Sequence, residues 1–386
     1  MLPYIFLLII IFVDFAWERS LSKKNIVKEI SECKTFSDKF ISVFFKFRIL
    51  TIIALVLFST FRHYTVGMDV LSYKMYYDKL CHDKSLLFKD SFGFKLEFGF
   101  TFLNSVLAVL NMDFRVLLFI VALISSVSFV TFFNKLSPNK LMSCILYVNL
   151  GIFAQSLNTL RQIIAMSIIL FAVIKLRDKK WISSIILILC ACLFHVSALC
   201  CLILVPIRYF KPKWYLFANI LVLTILVGLI LPGVLKLLEI LTPLDYYTKY
   251  FVNIDGFIVE SDLINNLYSL SLIGMFLVFW LVKNKFLRFN AKNEDLYDFC
   301  LMIFVFVPLI RIFGFIINAQ TLFQRVSMYY FVILTILIPL FVKGLHYNKK
   351  VFKVATIMVY VISFGYMYYL YSIKLSCGVV PYRLGV

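Results

Sequence analysis

Apolar runs long enough to cross a lipid bilayer recur along the whole chain, at about 3–17, 43–61, 113–133, 141–157, 162–176, 181–194, 198–208, 214–232, 266–283, 298–317, 326–343 and 354–372. Hydrocarbon offers no partner for a backbone N–H or C=O, so a spanning segment must satisfy its own polar groups, and apolar runs of this length do so as helices. Hydrophobic residues make up 62% of the chain and charged residues 15%, against about 45–50% and 25% in soluble domains. Mean hydropathy is +0.95. The expected fold is therefore all-α and polytopic, an integral membrane protein of about twelve transmembrane helices, with aromatic residues at 18% supplying lipid-facing walls and interfacial belts. The segment 98–111 is apolar but short, which predicts a re-entrant element. Runs 181–194 and 198–208 predict a tight hairpin around His195. Pro3 to Trp17 lacks a basic leader and a small-residue cleavage site, and reads as a retained span. With no internal repeat, low-complexity tract or soluble domain, residues 1–386 read as a single transmembrane domain with outward loops 62–97 and 233–265.

The net charge of +19 forms no patch or aromatic-interleaved stripe of the kind that binds nucleic acid. The basic residues sit instead between apolar runs, and 25 of the 39 fall in one alternating set of loops, from Arg19–Arg48 through Lys175–Lys180 and Lys283–Lys292 to Lys343–Lys353. By the positive-inside rule that set is cytoplasmic. The assignment holds if 98–111 does not cross; a crossing there would turn every later basic loop outward. Six of the nine cysteines lie in apolar runs as small hydrophobes, while Cys81 and Cys377 fall in outward segments where a disulfide between them could form.

Polar residues inside or beside the apolar runs carry the functional information. Arg161 interrupts the apolar stretch Leu141–Ile174, with Gln155, Asn158 and Gln162 beside it. A cation in that setting is costly and is expected to face inward and hold something. His195 in LFHVSAL, Arg311 in PLIRIFG and Arg325 in LFQRVSM recur in the same way. The predicted topology brings these residues, with Arg62, His63, Asp69, Tyr73 and Glu97, to the non-cytoplasmic face as one polar layer. The planar, permanently charged fork of arginine suits a diphosphate or a sugar. Each such arginine could equally be a helix-end residue snorkelling to the interface or paired with a carboxylate. His195 is either a satisfied structural donor or a general base, since its ordinary pKa lies near working pH; Asp69 and Glu97 are rival bases, or simply solvated or salt-bridged. No phosphate-binding GxxxxGK[ST] loop, HExxH or GxSxG occurs, and the four histidines do not converge by spacing on a metal. A metal-independent mechanism without a cofactor is expected.

At these residues the chain resembles the EpsG family. Arg62-His63-Tyr64-Thr65-Val66-Gly67-Met68-Asp69 followed by Tyr73 is similar to its "R..VG.D…Y" element, and Glu97-Phe98-Gly99-Phe100 to its "EPGF", with Phe98 in place of proline. Leu160-Arg161-Gln162-Ile163-Ile164-Ala165 resembles "RQ.IA", Phe194-His195-Val196-Ser197-Ala198-Leu199 resembles "FH.SAL", and Val380-Pro381-Tyr382 a terminal "PY". Five elements in the same order cover most of the chain. The resemblance implies a Wzy-type polymerase of capsule, exopolysaccharide or O-antigen in the bacterial cytoplasmic membrane, its site facing the exterior. Such a glycosyltransferase joins repeat units carried on undecaprenyl diphosphate and releases that carrier, and a chain-length regulator of the export system is the expected protein partner. On this reading His195 is the base, Asp69 positions the acceptor, and Arg161 binds the diphosphate. Arg62, Tyr73, Glu97, Gln162, Arg311, Arg325 and Tyr382 contact substrate. A flippase of the same lipid, an outer-face ligase or acyltransferase, and an export scaffold stay open as alternatives.

The predicted topology has a direct measurement. Single cysteines placed near Lys179 and Lys285 are expected to be shielded from an impermeant thiol reagent added outside, and cysteines near Asp78 and Asp255 to label. The reverse pattern would remove the grounds for grouping the polar residues on one face.

Overall fold

The computed structural model describes residues 1–23, 48–88, 96–241, 263–317 and 319–385. The central part of the 233–265 loop with Asp255, the end of the 62–97 loop and most of the basic stretch after Lys23 lie outside the described residues. Among the described residues every named element is helical, and the sole extended pairing is an isolated bridge between Arg62 and Leu384. The chain divides into two compact units, Met1–Leu199 with Lys353–Val386, and Cys200–Phe352.

The first unit contains α1 (Leu2–Lys23), α2 (Ile49–Thr60), α3 (Val70–His82), α4 (Phe98–Val109), α5 (Phe114–Leu136), α6 (Lys140–Asn149), α7 (Ile152–Asn158), α8 (Leu160–Arg177) and α9 (Trp181–Cys192). α5 is its long central helix. The Asp113 carboxylate caps it by accepting from the Arg115 amide at 2.7 Å, satisfying one of the amides a helix start leaves open. At 23 residues it measures roughly 35 Å, enough for a hydrocarbon core of about 30 Å. α4, where a re-entrant element is expected, is one 12-residue helix, about 18 Å long and shorter than that core. Buried charged groups near the start of this unit have polar partners. Asp14 of α1, fully buried, accepts from Thr51 of α2, while Arg48 pairs with Glu18 and lies 3.9 Å from the Phe15 ring centre.

The second unit holds α10 (Leu204–Ile207), α11 (Trp214–Leu241), α12 (Leu263–Phe286), α13 (Ala291–Phe304), α14 (Phe306–Ile316), α15 (Gln320–Phe331) and α16 (Leu334–Gly344). Asn290 caps α13 through its side chain, 2.9 Å from the Asn293 amide. Acidic residues on α13 gather cations that the sequence places in basic loops: Arg208 binds Asp295 with two guanidinium nitrogens at 3.2 and 2.7 Å, and Lys283 binds Asp298. α17 (Lys349–Tyr368) crosses from this unit into the first. Its apolar side chains stay exposed, Val361 at 65% and Ile362 at 63%, which suits a helix whose surroundings are lipid rather than water.

About twelve spans are expected; among the described residues three stretches meet the length and apolarity of a crossing: Phe114–Leu136, Ala291–Ile316 and Lys349–Ile373. Two bent pairs, α6 with α7 at 55° and α15 with α16 at 47°, raise the number to five. Six further apolar helical stretches among the described residues run 10–17 residues. The difference has a physical source. Polar or strained residues break the apolar runs, as at Gly151, whose φ of +77° interrupts Leu141–Asn158 between α6 and α7.

Candidate functional site

Three short structural decisions build one cluster in the first unit. α7 stops at Asn158, and Thr159 (φ −99°, ψ 78°) leaves helical geometry before α8 begins at Leu160. Arg161 therefore stands in the first turn of α8, where the helix dipole is positive and a cation is disfavoured unless a carboxylate answers it. Glu97, in extended geometry just before α4, supplies that carboxylate. α9 ends at Cys192, and a tight turn brings the His195 amide onto the Ala191 carbonyl at 3.0 Å before a 3-10 helix starts at Val196.

Glu97 is the hub. Its Oε2 accepts from Arg161 Nη1 at 2.6 Å, and its Oε1 lies 2.8 Å from His195 Nδ1 and accepts from the Val196 amide at 3.2 Å. The carboxylate side chain is 14% exposed. Burial alone would raise its pKa; the hydrogen bond from His195 and the charge of Arg161 outweigh this and hold it down at about 2. An ionised carboxylate can only accept, so His195 Nδ1 carries the proton and donates. The second ring nitrogen, Nε2, makes no hydrogen bond among the described residues. Gly99 makes the approach possible. Its amide donates to the Leu193 carbonyl at 2.7 Å, and a Cβ there would sit 2.8 Å from that oxygen.

Arg161 has a second neighbour, the Tyr73 phenol on α3, whose ring centre is 5.9 Å from Cζ and packs edge-on against Phe100. Its Nε is buried and makes no hydrogen bond among the described residues. Asp69 precedes α3, half-buried, with its amide donating to Asn158 Oδ1 at 2.8 Å. Gln162 is buried on α8. Glu97 thus joins Arg161 to His195, Tyr73 lies beside Arg161, and Asp69 is joined to the same helix break.

Two residues expected to meet substrate are occupied by the protein itself. Arg62 is 1% exposed, and its guanidinium donates to the carbonyls of Ser59, Val66 (3.3 Å) and Leu157 (2.9 Å). Burial lowers its pKa to about 10, with Tyr382 and Tyr4 pulling the other way, so it remains charged near neutrality. Tyr382 donates its phenol hydrogen to the Phe58 carbonyl at 2.6 Å and packs against Phe58 and Tyr4. Arg311 and Arg325 belong to the second unit; Arg311 lies 4.8 Å from the Tyr268 ring centre and Arg325 is exposed. Cys81 and Cys377 are not joined in a disulfide. Sequence reasoning missed Gly99 and the Val196 amide. The glycine inside "EFGF" was the available signal for the first, while a backbone amide leaves none.

These placements separate two kinds of arginine. Arg62→Lys is expected to reduce the protein that accumulates in the membrane and its melting temperature in detergent, because carbonyls left unpaired in a buried site cost about 1–3 kcal/mol each. Arg161→Lys should accumulate and melt like wild type. Acid should act on Glu97 in one direction: its depressed pKa means its stabilisation is complete above about 4.5 and is lost as pH falls toward about 2. Melting followed from pH 6 to 3 should therefore show a smaller acid loss in Glu97→Gln than in wild type.

No curated protein and no solved structure matches the chain. One family does, over residues 45–384, a range that takes in Arg62, Asp69, Tyr73, Glu97, Arg161, His195 and Tyr382. The chain belongs to the EpsG family, a family of Wzy-like polysaccharide polymerases and exopolysaccharide biosynthesis proteins.

Proposed function

We propose that the protein is a Wzy-type polymerase that joins lipid-linked oligosaccharide repeat units at the outer face of the bacterial cytoplasmic membrane. The observation that carries this reading is the sharing of Glu97 between Arg161 and His195. Glycosyl transfer from a polyprenyl diphosphate needs a base for the acceptor hydroxyl and a cation for the leaving diphosphate, and the cluster holds one of each. The acceptor hydroxyl gives its proton to His195 Nε2 as its oxygen bonds the anomeric carbon of the donor sugar. The anomeric C–O bond to phosphate breaks, and undecaprenyl diphosphate departs with the electron pair. Glu97 fixes the imidazole tautomer and stabilises the imidazolium that forms, the role a buried carboxylate plays beside a catalytic histidine.

Arg161 meets the leaving diphosphate. Its guanidinium and the N-terminus of α8 present positive charge from the same direction, the arrangement in which helix starts bind phosphate. Asp69, on the loop bound to Asn158, is placed to orient the acceptor sugar. Tyr73 and Gln162 complete the surroundings of the guanidinium. A chain-length regulator is the protein partner this activity calls for.

His195→Gln keeps size and some hydrogen bonding but cannot take up the proton. Polymer formation should fall by about 10²–10⁴-fold, with single repeat units accumulating on the lipid carrier. Arg161→Lys should lose most polymerisation, since an ammonium does not reproduce the fork. Normal chain lengths from either variant would sink its assigned role, and a block by Asp69→Asn alone would move the base to Asp69. Reconstitution with lipid-linked units on both leaflets decides between classes: new glycosidic bonds identify a polymerase, movement without bonds a transporter.

A further inference from the structure

The cluster depends on a break between α7 and α8. Thr159 is outside helical geometry, and Arg161 follows two residues later. Locally, Gln155 holds Thr159, its Nε2 donating to Thr159 Oγ1 at 3.2 Å and its carbonyl accepting from the Thr159 amide at 3.0 Å. From outside, the break is held by the loop 61–69. Arg62 Nη2 takes up the Leu157 carbonyl at 2.9 Å, and the Asp69 amide donates to Asn158 Oδ1 at 2.8 Å. Gly67, at φ +104°, lies so close that a Cβ would be 2.7 Å from the Leu157 oxygen.

That loop is in turn gripped on its other side by residues 376–385. The Gly67 amide donates to the Gly378 carbonyl at 3.0 Å, Met68 to Cys377 at 3.1 Å, His63 to Arg383 at 2.8 Å, and Gly385 back to Phe61 at 2.8 Å. The same segment reaches α7 directly, with Cys377 Sγ 3.0 Å from Gln155 Oε1. Leu375 and Cys377 take φ of +49° and +62°, a region side chains other than glycine rarely occupy and which persists where surrounding contacts impose it.

We propose that segment 376–385 is a positioning strap for the candidate site: by clamping loop 61–69 onto the α7–α8 break, it sets where Arg161 stands relative to Glu97. Tyr382 is accordingly a positioning residue that anchors the strap through Phe58, not a sugar contact. The consequence for turnover rests on the polymerase reading; the mechanical role does not.

The test uses full-length protein in detergent and variants lacking 376–386 or carrying Tyr382→Ala or Tyr382→Phe. Amide hydrogen exchange is followed together with polymerisation of lipid-linked units. Loss of the strap should raise exchange across 155–163 by about tenfold or more while α5 keeps its protection, as expected for a local opening. Turnover should drop by at least about tenfold, since small misplacements of a positioned group are costly, with KM little changed. Tyr382→Phe, which keeps the ring packing, should recover most of both properties relative to Tyr382→Ala. Unchanged exchange at 155–163, or an equal rise over α5, would overturn the strap; so would a local rise with turnover intact. Wild-type protein that forms no polymer would overturn the polymerase reading instead, and exchange would still decide the strap.

Discussion

A single carboxylate shared between a guanidinium and an imidazole is the interaction on which the rest of the first unit turns. Glu97 sits where an unpaired charge would be expensive, and it is stable there because Arg161, His195 and the Val196 amide all direct donors at its two oxygens. Glu97 and its partners come from three helix ends, and each end is irregular. α8 starts after a non-helical threonine, α9 gives way to a tight turn, and α4 begins at an extended residue. The departures from ideal helix are the places where chemistry-bearing side chains meet.

The arginines show how the same residue type serves opposite ends. Arg161 spends one nitrogen on Glu97 and keeps a buried Nε without a partner among the described residues. Arg62 spends its fork on three backbone carbonyls and is closed off from solvent. One answers a carboxylate; the other holds backbone together.

That contrast also marks what was legible in the sequence. The apolar runs and the positions of Arg161, His195 and Glu97 could be read directly, because a charge inside an apolar run is conspicuous and its residue type limits its chemistry. The joining of those three could not be read, since Glu97 and Arg161 are 64 residues apart and Glu97 and His195 98 apart, with no spacing rule relating them. The occupation of Arg62 and Tyr382 was equally hidden: their partners are main-chain carbonyls of Ser59, Leu157 and Phe58, which every residue carries alike. The helix break at Gly151 divided the expected span 141–157 because backbone conformation, not apolarity, decides where a helix stops, whereas the break at Thr159 falls between two expected spans.

The first unit is discontinuous, and its two parts are stitched across long separations, 324 residues between Phe58 and Tyr382. Residues 200–352 must be synthesised and inserted before the strap can close on its loop. Contacts so distant in sequence form late and slowly. Throughout insertion, the nascent chain would carry its histidine and arginine without their final geometry, so the cluster is completed only after the last residues have left the ribosome.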